Sequence, residues 1–98
     1  MNLLKETLEI LKENKLSPSD VEFVTDGKSD CSWADFAKEA DFEYDEGYGG
    51  NEIASVLKIV GKDWWLERGE YDGSEWWEFK RKPISHYDKK SMPQIKED

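Results

Sequence analysis

The sequence predicts an α+β domain: two short helices packed on an antiparallel sheet dominated by a three-stranded meander. Three observations carry that expectation. Two tryptophan pairs, Trp64-Trp65 and Trp76-Trp77, flank the turn Asp72-Gly73, and Asp-Gly between aromatic-rich runs is a strong hairpin signal. Adjacent strand residues point to opposite faces, so each pair sends one indole into the core and its neighbour outward. Two segments upstream of the hairpin carry apolar residues at helical rather than strand spacing.

Taken in order, residues 2–15 read as a helix with Leu3, Leu4, Leu8 and Leu11 on one stripe. Asn2 caps it, and Glu6 lies near the end where the helix dipole favours acids. Ser17-Pro18-Ser19-Asp20 stops it and starts one helical turn or a loop. Val21 to Thr25 is a short strand, turned by Asp26-Gly27. Ser32 followed by Asp35 has the form of a capping box and opens a helix from Trp33 to Ala40, with Trp33, Phe36, Ala37 and Ala40 inward. Residues 41–52 are acidic, aromatic and glycine-rich, with no regular period. Val56 to Val60, Asp63 to Glu70 and Ser74 to Arg81 form the meander, turned at Gly61-Lys62 and Asp72-Gly73. Residues 1–83 make one domain, and 84–98 read as a flexible polar tail.

Two-residue turns fix a register. Ile59 faces Trp64, Leu57 faces Leu66, Leu66 faces Phe79, and Arg68 faces Trp77, all on the core face. The opposite face takes Val56, Lys58, Val60, Trp65, Glu67, Trp76, Glu78 and Lys80, with Trp76 over Gly69.

The 98 residues carry a net charge of −9. Residues 1–52 hold 14 acids and 5 bases, whereas 53–98 hold 9 of each, so the imbalance precedes the hairpin. An acidic half disfavours direct nucleic-acid or anionic-membrane binding and favours a basic protein partner, or simple solubility. The lone Cys31 excludes an internal disulfide and suits a reducing compartment. The opening Met1-Asn2-Leu3-Leu4-Lys5-Glu6 has no basic region before an apolar run, so no signal peptide is expected, and no stretch reaches membrane-spanning length. A cytoplasmic location follows as the expectation.

Two surfaces are candidates for contact. Trp65 and Trp76 sit on the outer face among Glu67, Glu78, Lys58 and Lys80, and tryptophan is enriched at binding hot spots. A covering loop or tail would make the same indoles a second small core. The acidic run Asp41, Glu43, Asp45 and Glu46, with Tyr48 as an apolar anchor, is the second. In an extended chain Asp41, Glu43 and Asp45 share a side at steps of ~7 Å, close to the phosphate spacing of a nucleic-acid strand, so the run reads either as a charge mimic or as a solvated acidic loop. The expected site lies at the edge between acidic loop and outer face.

The run also places Asp41, Glu43, Asp45 and Glu52 at the first, third, fifth and twelfth positions of a calcium loop, the alternative reading. Glu46 stands where the bend glycine belongs, Glu43 replaces the usual Asp or Asn, and a strand follows instead of a helix. Catalysis finds little footing. His86 lies in the tail, Cys31 has no sequence-evident base, and no phosphate loop, nucleophile elbow or zinc cluster is present. No cofactor is expected.

The words Gly47-Tyr48-Gly49-Gly50-Asn51-Glu52-Ile53-Ala54, Val60-Gly61-Lys62-Asp63-Trp64-Trp65-Leu66-Glu67-Arg68 and Glu70-Tyr71-Asp72-Gly73-Ser74-Glu75-Trp76-Trp77-Glu78-Phe79 resemble small proteins encoded by bacteriophages and prophages of low-GC Gram-positive hosts. The resemblance covers roughly residues 18–83. That family carries no activity and no functional residues with it. It implies a context: an accessory protein in a bacterial cell that binds host machinery, defence nucleases included.

Overall fold

The computed structural model describes residues 1–45, 52–85 and 92–97. The architecture is α+β. Helix α1 spans Leu3–Glu13 and α2 spans Trp33–Ala40; the strands are β1 (Phe23–Thr25), β2 (Asp30–Cys31), β3 (Lys58–Val60), β4 (Trp64–Tyr71) and β5 (Ser74–Arg81). They form one five-stranded antiparallel sheet in the order β2-β1-β3-β4-β5. The expected meander is its β3-β4-β5 part. Strand β1 extends it on one side, and β2 adds an edge that the sequence does not announce, because two exposed residues, Asp30 and Cys31, are too few to carry an alternation signal.

Both helices start where their caps predict. Asn2 Oδ1 accepts the Lys5 N–H at 3.0 Å, and Ser32 Oγ accepts the Asp35 N–H at 3.1 Å. The Pro18–Asp20 segment is a single 3₁₀ turn in which the Asp20 carboxylate accepts the Ser17 N–H at 2.9 Å. The buried stripe of α1 is Leu3, Thr7 and Leu11, with Leu8 39% exposed. The leucine count misplaces that face because a polar residue belongs to it. Thr7 Oγ1 donates to the Leu3 carbonyl at 2.7 Å and accepts the Trp77 indole N–H at 2.8 Å. A buried indole needs an acceptor, and the threonine supplies one at i+4 from Leu3.

The second hairpin has the predicted register, with Leu66 opposite Phe79, Arg68 opposite Trp77 and Gly69 opposite Trp76. Its turn residues Asp72 and Gly73 have φ of 51° and 85°, the conformation a two-residue turn between twisted strands requires. The first hairpin differs. Ile59 lies opposite Leu66, not Trp64, and Gly61 N–H donates to the Trp64 carbonyl at 2.9 Å, so the turn is Lys62-Asp63. Gly61 therefore serves the pairing, not the turn. A Cβ at Gly61 would overlap the Trp64 indole, which lies over that bare backbone. The two-residue shift leaves every side chain on its predicted face, since the pleat repeats every two residues.

Core and display separate along each Trp-Trp pair. Trp64 and Trp77 are each 4% exposed, while Trp65 and Trp76 are half-buried on the reverse face. Trp64 stacks on Phe79 at 6.0 Å, and Ile59, Leu66, Val24, Leu3, Leu11, Phe36, Ala40, Tyr44 and Ile53 complete the core. Helix α1 packs on β5 and on α2, and α2 packs on β1, so both helices lie on the core side. Residues 82–85 and 92–97 are exposed.

Candidate functional site

The outer face is built by β3, β4 and β5. Lys58 lies opposite Glu67, Glu67 opposite Glu78, Trp65 opposite Lys80, and Trp76 over Gly69. Trp65 Nε1 donates to Glu67 Oε1 at 2.6 Å, and Trp76 Nε1 donates to Glu78 Oε2 at 3.3 Å. Lys80 Nζ stands 3.8 Å from Glu78 Oε1, both half-exposed. Each carboxylate thus orients the indole two residues before it, and the like-charged Glu67–Glu78 pair is divided between indole and ammonium partners.

The acidic segment lies elsewhere. Residues 42–44 run along the start of the chain: Leu3 N–H donates to the Phe42 carbonyl at 3.1 Å, and Tyr44 N–H donates to the Met1 carbonyl at 2.8 Å. Asp41 Oδ1 accepts from Asn2 Nδ2 at 2.9 Å, and Glu43 stands 3.2 Å from the terminal ammonium yet remains 74% exposed. Asp45 N–H donates to Glu52 Oε2 at 2.6 Å, tying together the two ends of residues 45–52. Residues 41–44 thus lie against the N-terminal start of α1. Trp65 and Trp76 are on the opposite side of the sheet, so among the described residues Asp41, Glu43 and Asp45 do not share a surface with them. Glu46 and Tyr48, like His86, lie outside the described residues. Among the described residues no three metal-binding side chains converge.

Beside α2 the surface is concave. A cleft of about 300 Å³ is floored by Val24, Phe36 and Leu57 and rimmed by Asp26, Asp30, Asp35 and Glu39. A second, of about 240 Å³, shares Phe36, Glu39 and Leu57 with it and adds Leu3, Phe42, Ile53 and Glu52. Neither is lined by a lysine or arginine among the described residues. Asp26 has its carboxyl held below the ordinary value by the Ser29 and Lys28 N–H groups. Burial, then Asp35 and Asp30, push the Cys31 thiol above its ordinary value, opposite to what a nucleophilic thiolate needs.

The sequence reading missed the residues that hold the acidic segment in place. Arg68 and Glu75 project from β4 and β5 into the core face with side chains 3% and 2% exposed, and Arg68 Nη2 lies 3.1 Å from Glu75 Oε1. Arg68 Nη1 stands 3.7 Å from Glu6 Oε1 on α1, and Nη2 donates to the Tyr44 hydroxyl at 3.2 Å. The Tyr44 hydroxyl donates to Glu6 Oε1. Glu75 accepts the Glu52 and Ile53 N–H groups at 2.7 and 3.2 Å. The guanidinium lies 4.7 Å from the Trp77 ring centroid. One buried cluster therefore fastens α1, Tyr44 and residues 52–53 to the sheet, and so sets both approaches to residues 45–52. The signal was present: the register puts Arg68 opposite Trp77, a charge on a core face, which demands a buried counter-charge.

Burial, then the hydrogen bond to Glu6, push the Tyr44 phenol up to about 12 from its ordinary 10.0, against the opposing pull of Arg68. A raised pKa in the folded state contributes stability that is complete below the unfolded value and declines as pH climbs toward 12. The expected result is a fall in the urea midpoint between pH 10 and 12. In Tyr44→Phe that part of the fall should vanish, and equal slopes in both proteins would contradict the assignment.

Comparison with protein-family models, curated proteins and solved structures finds no match to this chain. No helix among the described residues is long and apolar enough to cross a membrane.

Proposed function

We propose that this chain is a non-enzymatic accessory protein that binds a basic protein partner through its acidic half. Its sharper form is inhibition: the acidic surface occupies the groove with which a host nucleic-acid-binding protein, such as a defence nuclease, holds its substrate. The setting is the cytoplasm of a bacterial cell carrying a bacteriophage or prophage, a context that rests on the resemblance of the hairpin words.

The observation that carries this reading is preorganisation of negative charge. Asp41, Glu43 and Asp45 are exposed on backbone fixed to the chain start by three hydrogen bonds and to the sheet through Tyr44. Fixed charges steer encounter and lose less entropy on binding than mobile ones. The acid-rimmed apolar clefts beside α2 supply contact area of the same polarity. Trp65 and Trp76 form a second contact face, reached by a partner that wraps the sheet rather than one lying flat on the acidic side. Glu67 and Glu78 are each bound to an indole, which suits orientation more than proton transfer.

The test is capture from a nuclease-treated lysate of a Gram-positive bacterium on the immobilised chain, at rising salt. A captured protein of basic isoelectric point is expected, released steeply as salt screens the contact. Asp41→Lys/Glu43→Lys/Asp45→Lys should abolish its capture, and Trp65→Ala/Trp76→Ala should weaken it without changing the salt slope. Capture indifferent to both salt and charge reversal would overturn the reading.

A further inference from the structure

Strand β5 is a sheet edge. Its eight residues pair with β4 without interruption and, among the described residues, with no other strand. The opposite edge, β2, is two residues long and so protected by brevity. Strand β5 is eight residues long, no bulge breaks its ladder, and the first proline after it is Pro83; what guards it is charge, in Glu78, Lys80 and Arg81. The tight Asp72-Gly73 turn makes Tyr71–Ser74 a hydrogen-bonded pair, and such pairs alternate along an antiparallel ladder. The backbone groups of Trp77, Phe79 and Arg81 therefore point away from β4. Among the described residues nothing bonds to them.

The outer face says what belongs there. Lys58, Glu67 and Glu78 form a cross-strand row of one cation and two anions that ends at the edge. Glu67 has Lys58 across from it on β3. Glu78 has no cross-strand cation on its free side, only Lys80 two residues along its own strand at 3.8 Å. The row is completed by a lysine on an added antiparallel strand.

We propose that β5 pairs with β5 of a second copy, antiparallel and two-fold symmetric about Phe79. That register sets Glu78 opposite Lys80 of the partner subunit, and Lys80 opposite Glu78 of the partner subunit. Each row then reads cation, anion, anion, cation. Trp77 falls opposite Arg81 of the partner subunit on the inner face, and Trp76 opposite Lys82 of the partner subunit on the outer one. Other symmetric registers are worse. Centring on Glu78 opposes two carboxylates, centring on Lys80 opposes two ammonium groups, and centring on Trp77 leaves Glu78 against an indole. An isologous contact of this kind closes on itself and pairs the free side of β5.

Sedimentation equilibrium of the full chain should show a monomer–dimer equilibrium. Lys80→Glu, with unchanged circular dichroism, should weaken dimerisation about tenfold or more, because both cross-copy pairs become repulsive. Glu78→Lys/Lys80→Glu, which restores opposite signs, should recover it. Register is read by crosslinking in a Cys31→Ser background. A mixture of the Glu78→Cys and Lys80→Cys chains should form a disulfide-linked heterodimer, since residues directly opposite in a non-hydrogen-bonded pair lie ~4.5 Å apart. Either chain alone should not, its cysteines being roughly 8 Å apart. A monomer at every concentration, a dimer indifferent to Lys80→Glu, or equal crosslinking in the single-variant solutions would overturn the proposal.

Discussion

Arg68→Ala is expected to lower the unfolding free energy by about 3–5 kcal/mol, the cost of stranding a buried charge without its partner. The removed guanidinium is the only cation in contact with Glu75 and Glu6 among the described residues, and both carboxylates are largely out of water. It also covers the Trp77 ring. A chain of this size is stabilised by roughly 5–15 kcal/mol in total, so the loss is a large share of the whole. Urea unfolding followed by tryptophan fluorescence gives the number. Arg68→Lys should fall between, because an ammonium keeps the charge but loses the fork that reaches Glu75, Glu6 and Tyr44 together. A change below about 1 kcal/mol in Arg68→Ala would mean the cluster is solvated and does not fasten the acidic segment. The functional consequence follows from position. Weakening this cluster frees residues 52–53 and Tyr44, and with them the fixed display of Asp41, Glu43 and Asp45.

The second large effect separates neighbours in sequence. Trp64→Ala and Trp77→Ala should each cost about 3–5 kcal/mol, as truncation of a buried aromatic leaves a cavity the core only partly fills. Trp77→Ala carries the added loss of the hydrogen bond that satisfies Thr7. Trp65→Ala and Trp76→Ala should cost about 1 kcal/mol each, since their indoles are half in water and their N–H groups pair with exposed-face carboxylates. The pattern buried, displayed, displayed, buried along 64, 65, 76 and 77 is the signature of a strand pair.

The meander was legible because its signals are local. A two-residue Asp-Gly turn admits one register, and alternation then assigns faces without further information. The helices were legible through their caps, Asn2 and Ser32. What escaped was set by contacts distant in sequence. Thr7 belongs to the core only because Trp77 needs an acceptor, seventy residues away. Gly61 reads as a turn residue until the Trp64 indole is seen over it. Glu75 looks like one more surface acid, yet it is among the most buried charges, called inward by Arg68 and by two backbone N–H groups. The candidate surface was legible in composition and not in placement. Asp41, Glu43 and Asp45 lie on the other side of the sheet from the outer tryptophans, because residues 42–44 turn back to the chain start.

The divergence of neighbouring indoles underlies core, display face and edge alike. It is tested most directly by adding a neutral, water-soluble paramagnetic agent to the wild-type protein and following its assigned indole N–H resonances by NMR. The Trp65 and Trp76 signals should broaden readily, and those of Trp64 and Trp77 should persist, with the Trp77 proton exchanging most slowly of the four. Uniform broadening, or protection of all four alike, would contradict the account.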